Sequence, residues 1–368
     1  MSTGFFWDER TFWHAGGNYA FTLPFGGLVQ PLAAGGLPES PETKRRLKNL
    51  IDVTGLRQEL AMQTAPAATR EMLERVHPAQ YLDAFKALSD EKGGELGHHA
   101  PFAKDGYDIA ALSTGLTVAA VQAVGSGALT NAYALSRPPG HHCTSDTPHG
   151  FCLLANIAVA IEAAIADGTV NRVAVVDWDV HHGNGTESIF YDRDDVLTIS
   201  LHQEGNYPVG SGNLTDRGTG AGEGHNINLP MYAGSGHTAY LYAMERVVIP
   251  ALEAYRPDMI IVACGFDAAM PDPLAAMQAT AETFGVMTQM IKDTAENLCD
   301  GKLVLSHEGG YSEVYVPFCG HATLTALSGS DITAPDPLGA TSAARQPSEA
   351  FDAFLRESID EMARKLDL

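Results

Sequence analysis

Short apolar runs alternate with longer segments of helical periodicity along this chain, and this alternation constrains the fold more than any other feature. Runs typical of buried strands cover residues 132–135, 172–176, 196–201, 259–263 and 302–305. Patterns typical of helices cover residues 78–90, 108–124, 155–166, 238–255, 279–298 and 347–368. This order predicts an α/β fold in which helices flank a parallel sheet. The sequence shows no internal repeat, low-complexity tract or long linker, so we expect one domain over residues 1–368.

Polar residues gather directly after four of the predicted strands. They are Asp177 and Asp179 after 172–176, Asp267 after 259–263, the pair His141-His142 after 132–135, and the segment 308–311 after 302–305. Ligands of open α/β sheets bind outside the carboxyl ends of the strands. We therefore expect these four strand ends to face one cleft.

The spacing of Asp179 and His181 indicates a metal site. The two residues are two positions apart in an extended stretch, so their side chains point to the same side. Zinc accepts a carboxylate and an imidazole, and a catalytic zinc normally takes three protein ligands and keeps a fourth position open. Asp267, at another polar strand end, is the candidate for the third ligand. The alternative is a capping aspartate beside a hydrogen-bonded histidine, but a buried aspartate without a partner is costly, which favours the metal site.

The adjacent histidines His141 and His142 follow a Pro/Gly turn and suit acid–base work at neutral pH. Asp177 and Asn184 flank the expected metal ligands, and each can orient one of these histidines. The alternative is an ordinary pair of loop histidines. The pair at positions 98–99 is interpreted in that way, because no residue around it indicates a site.

Tyr311 follows two glycines after the last predicted strand. Glycines let the backbone approach a cleft closely, and a tyrosine hydroxyl can donate a hydrogen bond to a developing oxyanion. The alternative for Tyr311 is simple packing, and its position after a strand end favours the catalytic role.

Composition excludes several classes of partner. The formal net charge of −22 argues against direct binding to the phosphate backbone of nucleic acid. The five cysteines form no CxxC pair, which argues against a cysteine-zinc or redox motif and is typical of free thiols in a reducing cytoplasm. No apolar run approaches the roughly 18 residues of a membrane span, and the N-terminal segment lacks the features of a signal peptide. We expect a cytoplasmic protein with no nucleic-acid or membrane partner, and homo-oligomer formation stays open.

Several motifs occur in the order in which one known family carries them. They are residues 137–142 (RPPGHH), 150–152 (GFC), 177–185 (DWDVHHGNG), 200–202 (SLH), 265–267 (GFD) with 272–274 (DPL), and 308–311 (EGGY). With these motifs the chain resembles the histone deacetylase superfamily, and most of all its bacterial class II-like members, the histone-deacetylase-like amidohydrolases. The resemblance covers nearly the whole chain and implies the arginase–deacetylase fold.

The resemblance implies a zinc-dependent deacetylase that acts on acyl-lysine or a related acylated amine. It assigns zinc binding to Asp179, His181 and Asp267, proton transfer to His142, electrostatic support to His141 and Asp177, orientation of the base to Asn184, and oxyanion stabilisation to Tyr311. It assigns the walls of a substrate channel to Gly150, Phe151 and Tyr207, a structural potassium site to Asp177, Asp179, His181, Ser200 and Leu201, and a second monovalent site to Phe190, Arg193 and Val196.

The chain departs from the wider family near the expected substrate. Asn184 stands where class I enzymes carry an aspartate, and a neutral partner stabilises imidazolium less, so His142 should titrate at lower pH. Tyr207 stands where phenylalanine is usual. Leu274 occupies the substrate-binding position at which polyamine deacetylases place a cation-selecting glutamate. The segment 97–101 shows no counterpart of the rim aspartate that grips the substrate backbone in many relatives.

Three other functions fit the same fold. An acetylpolyamine amidohydrolase would share the zinc chemistry. A non-catalytic acyl-lysine binder that keeps zinc is expected to have lost Tyr311 or the histidine pair, and the chain has both. A two-metal ureohydrolase would need aspartates two residues beyond His181 and Asp267, where Gly183 and Ala269 stand.

Overall fold

The computed structural model describes residues 2–16, 19–20, 22–24 and 37–368. Its strands are β1 (Thr3–Phe6), β2 (Tyr19–Ala20), β3 (Leu23–Pro24), β4 (Leu60–Gln63), β5 (Gly93–Glu95), β6 (Pro101–Ala103), β7 (Asn131–Ala134), β8 (Val173–Asp177), β9 (Val196–Gln203), β10 (Asn226–Met231), β11 (Met259–Cys264) and β12 (Leu303–His307). Eight of them form one sheet in the order β10-β9-β8-β11-β12-β7-β1-β4, and every neighbouring pair is parallel. The pairs β2-β3 and β5-β6 are antiparallel.

Helices cover both faces of this sheet. They are α1 (Pro41–Thr54), α2 (Arg70–Glu74), α3 (Ala79–Glu91), α4 (Gly106–Gly125), α5 (Asn156–Ala166), α6 (Asn184–Phe190), α7 (His237–Ala243), α8 (Ile249–Tyr255), α9 (Ala281–Cys299), α10 (Val316–Ser328), α11 (Gly339–Ala344) and α12 (Glu349–Lys365). Residues of α1, α7 to α10 and α12 pack into one core, and residues of α2 to α6 pack into the other.

Strand β8 shows how one run of residues serves both cores. Val173 and Val175 belong to the core beneath α4 and α5, whereas Ala174 and Val176 belong to the core beneath α8 and α9. Successive side chains of a strand point to opposite faces, and both faces of a parallel sheet are covered by helices. This is the physical reason that the strands read as unbroken apolar runs.

The predicted parallel α/β sheet is confirmed, and the five predicted strands agree with β7, β8, β9, β11 and β12 to within two residues. The six predicted helices are present, but the one predicted over 238–255 consists of α7, a π-helical turn (Met244–Val248) and α8. Of the eight strands in the large sheet, sequence analysis missed β1, β4 and β10. Strand β10 contains Pro230 and lies at the sheet edge, where proline is tolerated because one side of the strand donates no ladder hydrogen bonds. The organisation as one domain stays a prediction.

Helix α4 corrects an expectation about composition. It has 20 residues, and the mean hydropathy of its most apolar 18-residue stretch is 1.3. By length and composition alone it is therefore able to cross a membrane. The expectation that no segment reaches that length and apolarity is therefore wrong. However, 67% of that stretch is buried within the protein, as in the core helix of a globular domain. The helix is weak evidence for a membrane span.

The five cysteines are buried and free, as predicted. Burial raises the pKa of the Cys152, Cys264 and Cys319 thiols well above the ordinary value, so these groups stay protonated. The cytoplasmic location that was inferred from the free thiols stays a prediction.

Candidate active site

The segment that follows β8 places three polar side chains on one side of the chain. Asp177 ends β8 and lies in register with Ala263 of β11 and Ser200 of β9. The backbone N–H of Asp179 donates to Asp177 Oδ1 at 3.0 Å, and the N–H of His181 donates to Asp179 Oδ1 at 2.9 Å. These local bonds fix the extended stretch, so alternate side chains reach the cleft at the carboxyl ends of the strands.

Asp179, His181 and Asp267 form a buried cluster whose ligand atoms all lie within 4.8 Å of one another. His181 Nδ1 lies 3.0 Å from Asp179 Oδ1 and 3.1 Å from Asp267 Oδ2. A backbone hydrogen bond fixes each carboxylate: the Val180 N–H donates to Asp267 Oδ1 at 2.8 Å, and the Gly309 N–H donates to Asp179 Oδ2 at 2.7 Å. Two carboxylates and one imidazole are a donor set that zinc accepts with one position left open.

Charges within this cluster are strongly coupled. Burial opposes ionisation of Asp179, yet the neighbouring His141 and His181 hold its pKa below the ordinary value. Burial and the charge of Asp179 raise the pKa of Asp267 to about 6. Burial favours neutral His181, but Asp267 and Asp179 raise its pKa well above the ordinary value. The two carboxylates thus require a positive partner, and metal binding would displace the proton from His181.

Two glycines permit the close approach of backbone to these side chains. A Cβ atom at Gly309 would overlap Oδ2 of Asp267, so a larger residue would push the loop away from the cluster. Gly150 has a φ of +47°, and a Cβ there would overlap the ring of His142. Both positions therefore require glycine, one for space and the other for space and backbone conformation.

His141 and His142 lie side by side, with ring centroids 4.0 Å apart, but they have different partners. His141 Nδ1 lies 2.9 Å from Asp177 Oδ2, whereas His142 Nδ1 lies 2.8 Å from Asn184 Oδ1. Burial favours neutral His141, but Asp179 and Asp177 outweigh it and raise its pKa to about 10. Burial and the neighbouring His141 lower the pKa of His142 well below the ordinary value. The pair combines a charged imidazole with a neutral one that can accept a proton.

Glu308 supports the turn that carries the histidines, a role that sequence analysis did not assign. Its Oε2 accepts hydrogen bonds from the N–H of Gly140 at 2.7 Å and of His141 at 3.0 Å. Its ligand atoms also lie within 4.8 Å of those of His141 and Cys152. Burial raises the pKa of Glu308 to about 7 and keeps the Cys152 thiol protonated, so this second group is better suited to support than to metal binding.

A cavity of about 200 Å³ reaches the cluster. The predicted residues that line it are His142, Gly150, Phe151, His181, Tyr207, Leu274 and Tyr311. The rings of Phe151 and Tyr311 pack edge to face with centroids 5.7 Å apart, and the Tyr207 ring lies edge-on to His142 at 5.1 Å. Aromatic walls above a polar floor suit an alkyl chain that ends in a polar group.

Tyr311 is buried in the cavity wall, and its ring centroid lies 6.1 Å from that of His181. Its backbone N–H donates to Asp272 Oδ2 at 2.8 Å, which fixes the residue after the two glycines. Burial and the negative charge of Asp267 raise the pKa of Tyr311 well above the ordinary value. The hydroxyl therefore stays protonated and is available as a donor.

Leu274 lies in the cavity wall, on a loop held at two points. Its N–H donates to Asp272 Oδ1 at 2.9 Å, and its carbonyl accepts from Asn206 Nδ2 at 3.2 Å. Asn206 and Thr22 also line the cavity, although sequence analysis did not single them out. Asn206 directly precedes Tyr207, a predicted wall residue, and this adjacency was the sequence signal that would have pointed to Asn206.

His99 lines the mouth of the cavity, although sequence analysis interpreted the 98–99 pair as loop histidines without a site. Its ring centroid lies 6.2 Å from that of Tyr207. The N–H groups of Phe151 and Gly150 donate to the carbonyls of His99 and His98 at 2.7 and 3.0 Å. His99 has a φ of +56°, which residues other than glycine rarely adopt. These bonds join segments that are distant in sequence, so no local pattern revealed the placement.

The two potassium sites stay predictions. Ser200, within β9, lies in register with Asp177 at the end of β8, so the structure brings together the segments that were assigned to the first site. For the second site, Phe190 ends α6, Val196 begins β9, and the Arg193 N–H between them donates to the Phe190 carbonyl at 3.1 Å.

The chain is similar to known proteins of one family. A family model described as the histone deacetylase domain matches residues 37–327. A histone deacetylase-like amidohydrolase of Pseudomonas aeruginosa is 56% identical over 366 residues, which cover 100% of this chain and 96% of the relative. A probable deacetylase of Archaeoglobus fulgidus is 35% identical over 306 residues, which cover 81% and 84%. The crystal structure of the HDA15 HD domain has a TM-score of 0.80 and 32% sequence identity, and the match covers 99% of this chain and 98% of that one.

Proposed function

This chain belongs to the histone deacetylase family, and from that premise we propose that it is a zinc-dependent amidohydrolase that deacylates acyl-lysine or a related acylated amine. The family establishes the coarser class, a deacetylase or amidohydrolase that hydrolyses an amide bond. The observation that carries the finer proposal is the buried cluster of Asp179, His181 and Asp267 at the floor of an aromatic cavity that His142 and Tyr311 also line.

The side chains divide the chemistry between them. Zinc held by the three cluster residues would polarise an amide carbonyl and make a water molecule more acidic. His142 engages Asn184 through Nδ1, which leaves Nε2 to take a proton from water and return it to the leaving amine. His141, paired with Asp177, keeps a positive charge beside the base. The Tyr311 hydroxyl donates to the oxyanion.

One metal is favoured over two. The second metal of a ureohydrolase would need a carboxylate at position 183, but a Cβ atom there would overlap Asp177 Oδ2. Position 269 holds Ala269, which is buried and offers no ligand. Family membership also supports the proposals that residues 1–368 form one catalytic domain and that a structural potassium ion lies near Asp177 and Ser200.

Tyr311→Phe tests whether the site is catalytic or only binds acyl-lysine. We expect the variant to keep one zinc per chain but to lose about a hundredfold or more in kcat on an acetyl-lysine peptide, the usual cost of one oxyanion donor. Tyr207→Phe is the matched control, because Tyr207 lines the same cavity and its buried hydroxyl has no hydrogen-bond partner among the described residues. We expect a loss below about tenfold there, since no buried bond is removed. Near-normal turnover in Tyr311→Phe would show that the Tyr311 hydroxyl is not an oxyanion donor and that the ring only packs in the cavity wall.

Leu274→Glu tests the substrate class. An acetylpolyamine carries a second ammonium beyond the alkyl chain, and the apolar Leu274 side chain in the cavity wall offers it no charged partner. We expect wild type to prefer an acetyl-lysine peptide, and the variant to shift kcat/KM toward acetylputrescine by about tenfold, or about 1.4 kcal/mol. Leu274→Gln separates charge from polarity and should not produce the shift. A wild-type preference for acetylputrescine would contradict this assignment.

A further inference from the structure

We infer that the protein has a second binding site, for a small organic carboxylate, at the end of the sheet opposite the candidate active site. A cavity of about 240 Å³ lies there, and we call it the amino-end cavity. Arg172 directly precedes β8, His225 directly precedes β10, and Leu197 is the second residue of β9; all three line the cavity. Strand β8 separates it from Asp177 by five residues, or roughly 16 Å.

Three cationic or donor side chains meet at this cavity without an acidic partner. Among the described residues, neither Arg172 nor Arg217 has a carboxylate within 4.0 Å of its guanidinium nitrogens. Among the described residues, the Arg217 guanidinium makes only long hydrogen bonds, to the carbonyls of Lys365 at 3.4 Å and Leu366 at 3.5 Å. Its buried Nε and the buried Nδ1 of His225 have no partner in the described part of the chain. Buried polar atoms are normally hydrogen-bonded, and a ligand in the cavity would supply the partners that these two atoms lack.

Tyr255 holds two of these groups in place. The Arg172 Cζ atom lies 4.1 Å from the centre of the Tyr255 ring, and the His225 ring packs edge to face on it with centroids 5.6 Å apart. The Tyr255 hydroxyl donates to the Asp194 carbonyl at 3.0 Å, which fixes the ring. The guanidinium and the imidazole are therefore positioned before any anion binds, which lowers the entropic cost of binding.

Two of the nearby carboxylates are engaged by other groups. Asp195 forms two hydrogen bonds with the Arg193 guanidinium, at 2.9 and 2.7 Å. Asp258 accepts the backbone N–H groups of Asn171 and Arg172 at 2.9 and 3.0 Å. Among the described residues, Asp194 is exposed and makes no such bond, and the C-terminal residue Leu368 also lines the cavity. In a chain of net charge −22, a cavity with two unpaired guanidinium groups is a local exception that favours anions.

The walls of the cavity select the kind of anion. Leu197, Ile227 and Ala251 line it together with Tyr255, so a bare inorganic ion would leave apolar surface uncovered. A buried cavity of about 150 Å³ accommodates benzene, so the space suits a short-chain or single-ring carboxylate. The guanidinium groups would bind the carboxylate by charge-assisted hydrogen bonds, and the apolar wall would take the carbon body.

Titration with benzoate, followed by calorimetry at constant ionic strength, tests this site in the full-length protein. We expect saturable binding of one benzoate that weakens about tenfold or more in the double variant Arg172→Gln, Arg217→Gln. Arg356→Gln is the matched control, because Arg356 also lies over a tyrosine ring, at 4.6 Å from the Tyr242 centroid, but outside the cavity. It should bind benzoate like wild type.

Two further measurements make the outcome decisive. Unchanged deacetylase activity in the double variant would show that its fold is intact. If the double variant does not fold, the titration is repeated with each single variant. Undiminished benzoate binding in the double variant would place the ligand elsewhere, including the candidate active site, and overturn the inference. Inorganic phosphate is the second probe: we expect weaker binding than for benzoate, and equal or tighter binding would overturn the assignment to an organic carboxylate.

Discussion

Asp267→Ala is expected to abolish stoichiometric zinc binding and, with it, amide hydrolysis. Its Oδ2 lies 3.1 Å from His181 Nδ1, and without it only Asp179 and His181 remain as ligands. Substitution of residues that merely orient metal ligands lowers metal affinity by about ten- to a hundredfold. We therefore expect removal of a direct ligand to lower zinc affinity by more than about a hundredfold. Metal analysis of the purified variant and an assay on an acetyl-lysine peptide check both parts.

Asp360→Ala serves as the control for that change. Asp360 is a carboxylate with its own partners, since it accepts a hydrogen bond from Tyr242 and pairs with Arg246 at 3.0 Å, and it does not belong to the cluster. Its removal should leave the zinc content at one per chain. Full zinc occupancy in Asp267→Ala would exclude Asp267 from the ligand set and leave the proposal without its third ligand.

His142→Ala is expected to lower kcat by about a hundred- to ten-thousand-fold while zinc stays bound. The residue lines the cavity, is not part of the cluster, and is held neutral by burial and by the neighbouring charge of His141. It therefore has the protonation state and the position of a general base. Zinc content and turnover of the same preparation separate loss of proton transfer from loss of metal.

Asn184→Asp tests whether His142 is the general base. If His142 had only a structural role, this substitution would not shift the pH dependence of kcat/KM. A carboxylate beside Nδ1 stabilises the imidazolium, so it should raise the pKa of His142. The base must be neutral to act, and kcat/KM falls as pH drops through that pKa. The acidic limb of the pH profile should therefore move to higher pH in this variant. An unmoved limb would argue that another group takes the proton.

The position of His99 shows what local patterns cannot supply. From the sequence it is one of two loop histidines, yet the fold places it at the cavity mouth beside Tyr207. The hydrogen bond from the Phe151 N–H to its carbonyl joins two loops that are remote in sequence. Glu308 is a similar case, because its partners, the N–H groups of Gly140 and His141, follow a different strand. Which remote segments meet depends on strand order, which periodicity does not encode.

The sequence by itself determined the alternation of strands and helices, the five central strands, and the stretch in which Asp177, Asp179 and His181 share one side. These features are local, because side-chain direction repeats every two residues in a strand and polar residues are placed where a buried strand ends. Only the tertiary structure decided the order of the eight strands, the edge positions of β4 and β10, and the places of His99, Asn206 and Thr22 in the cavity wall. Those depend on contacts between segments far apart in the chain, which form only when the two cores pack around the sheet.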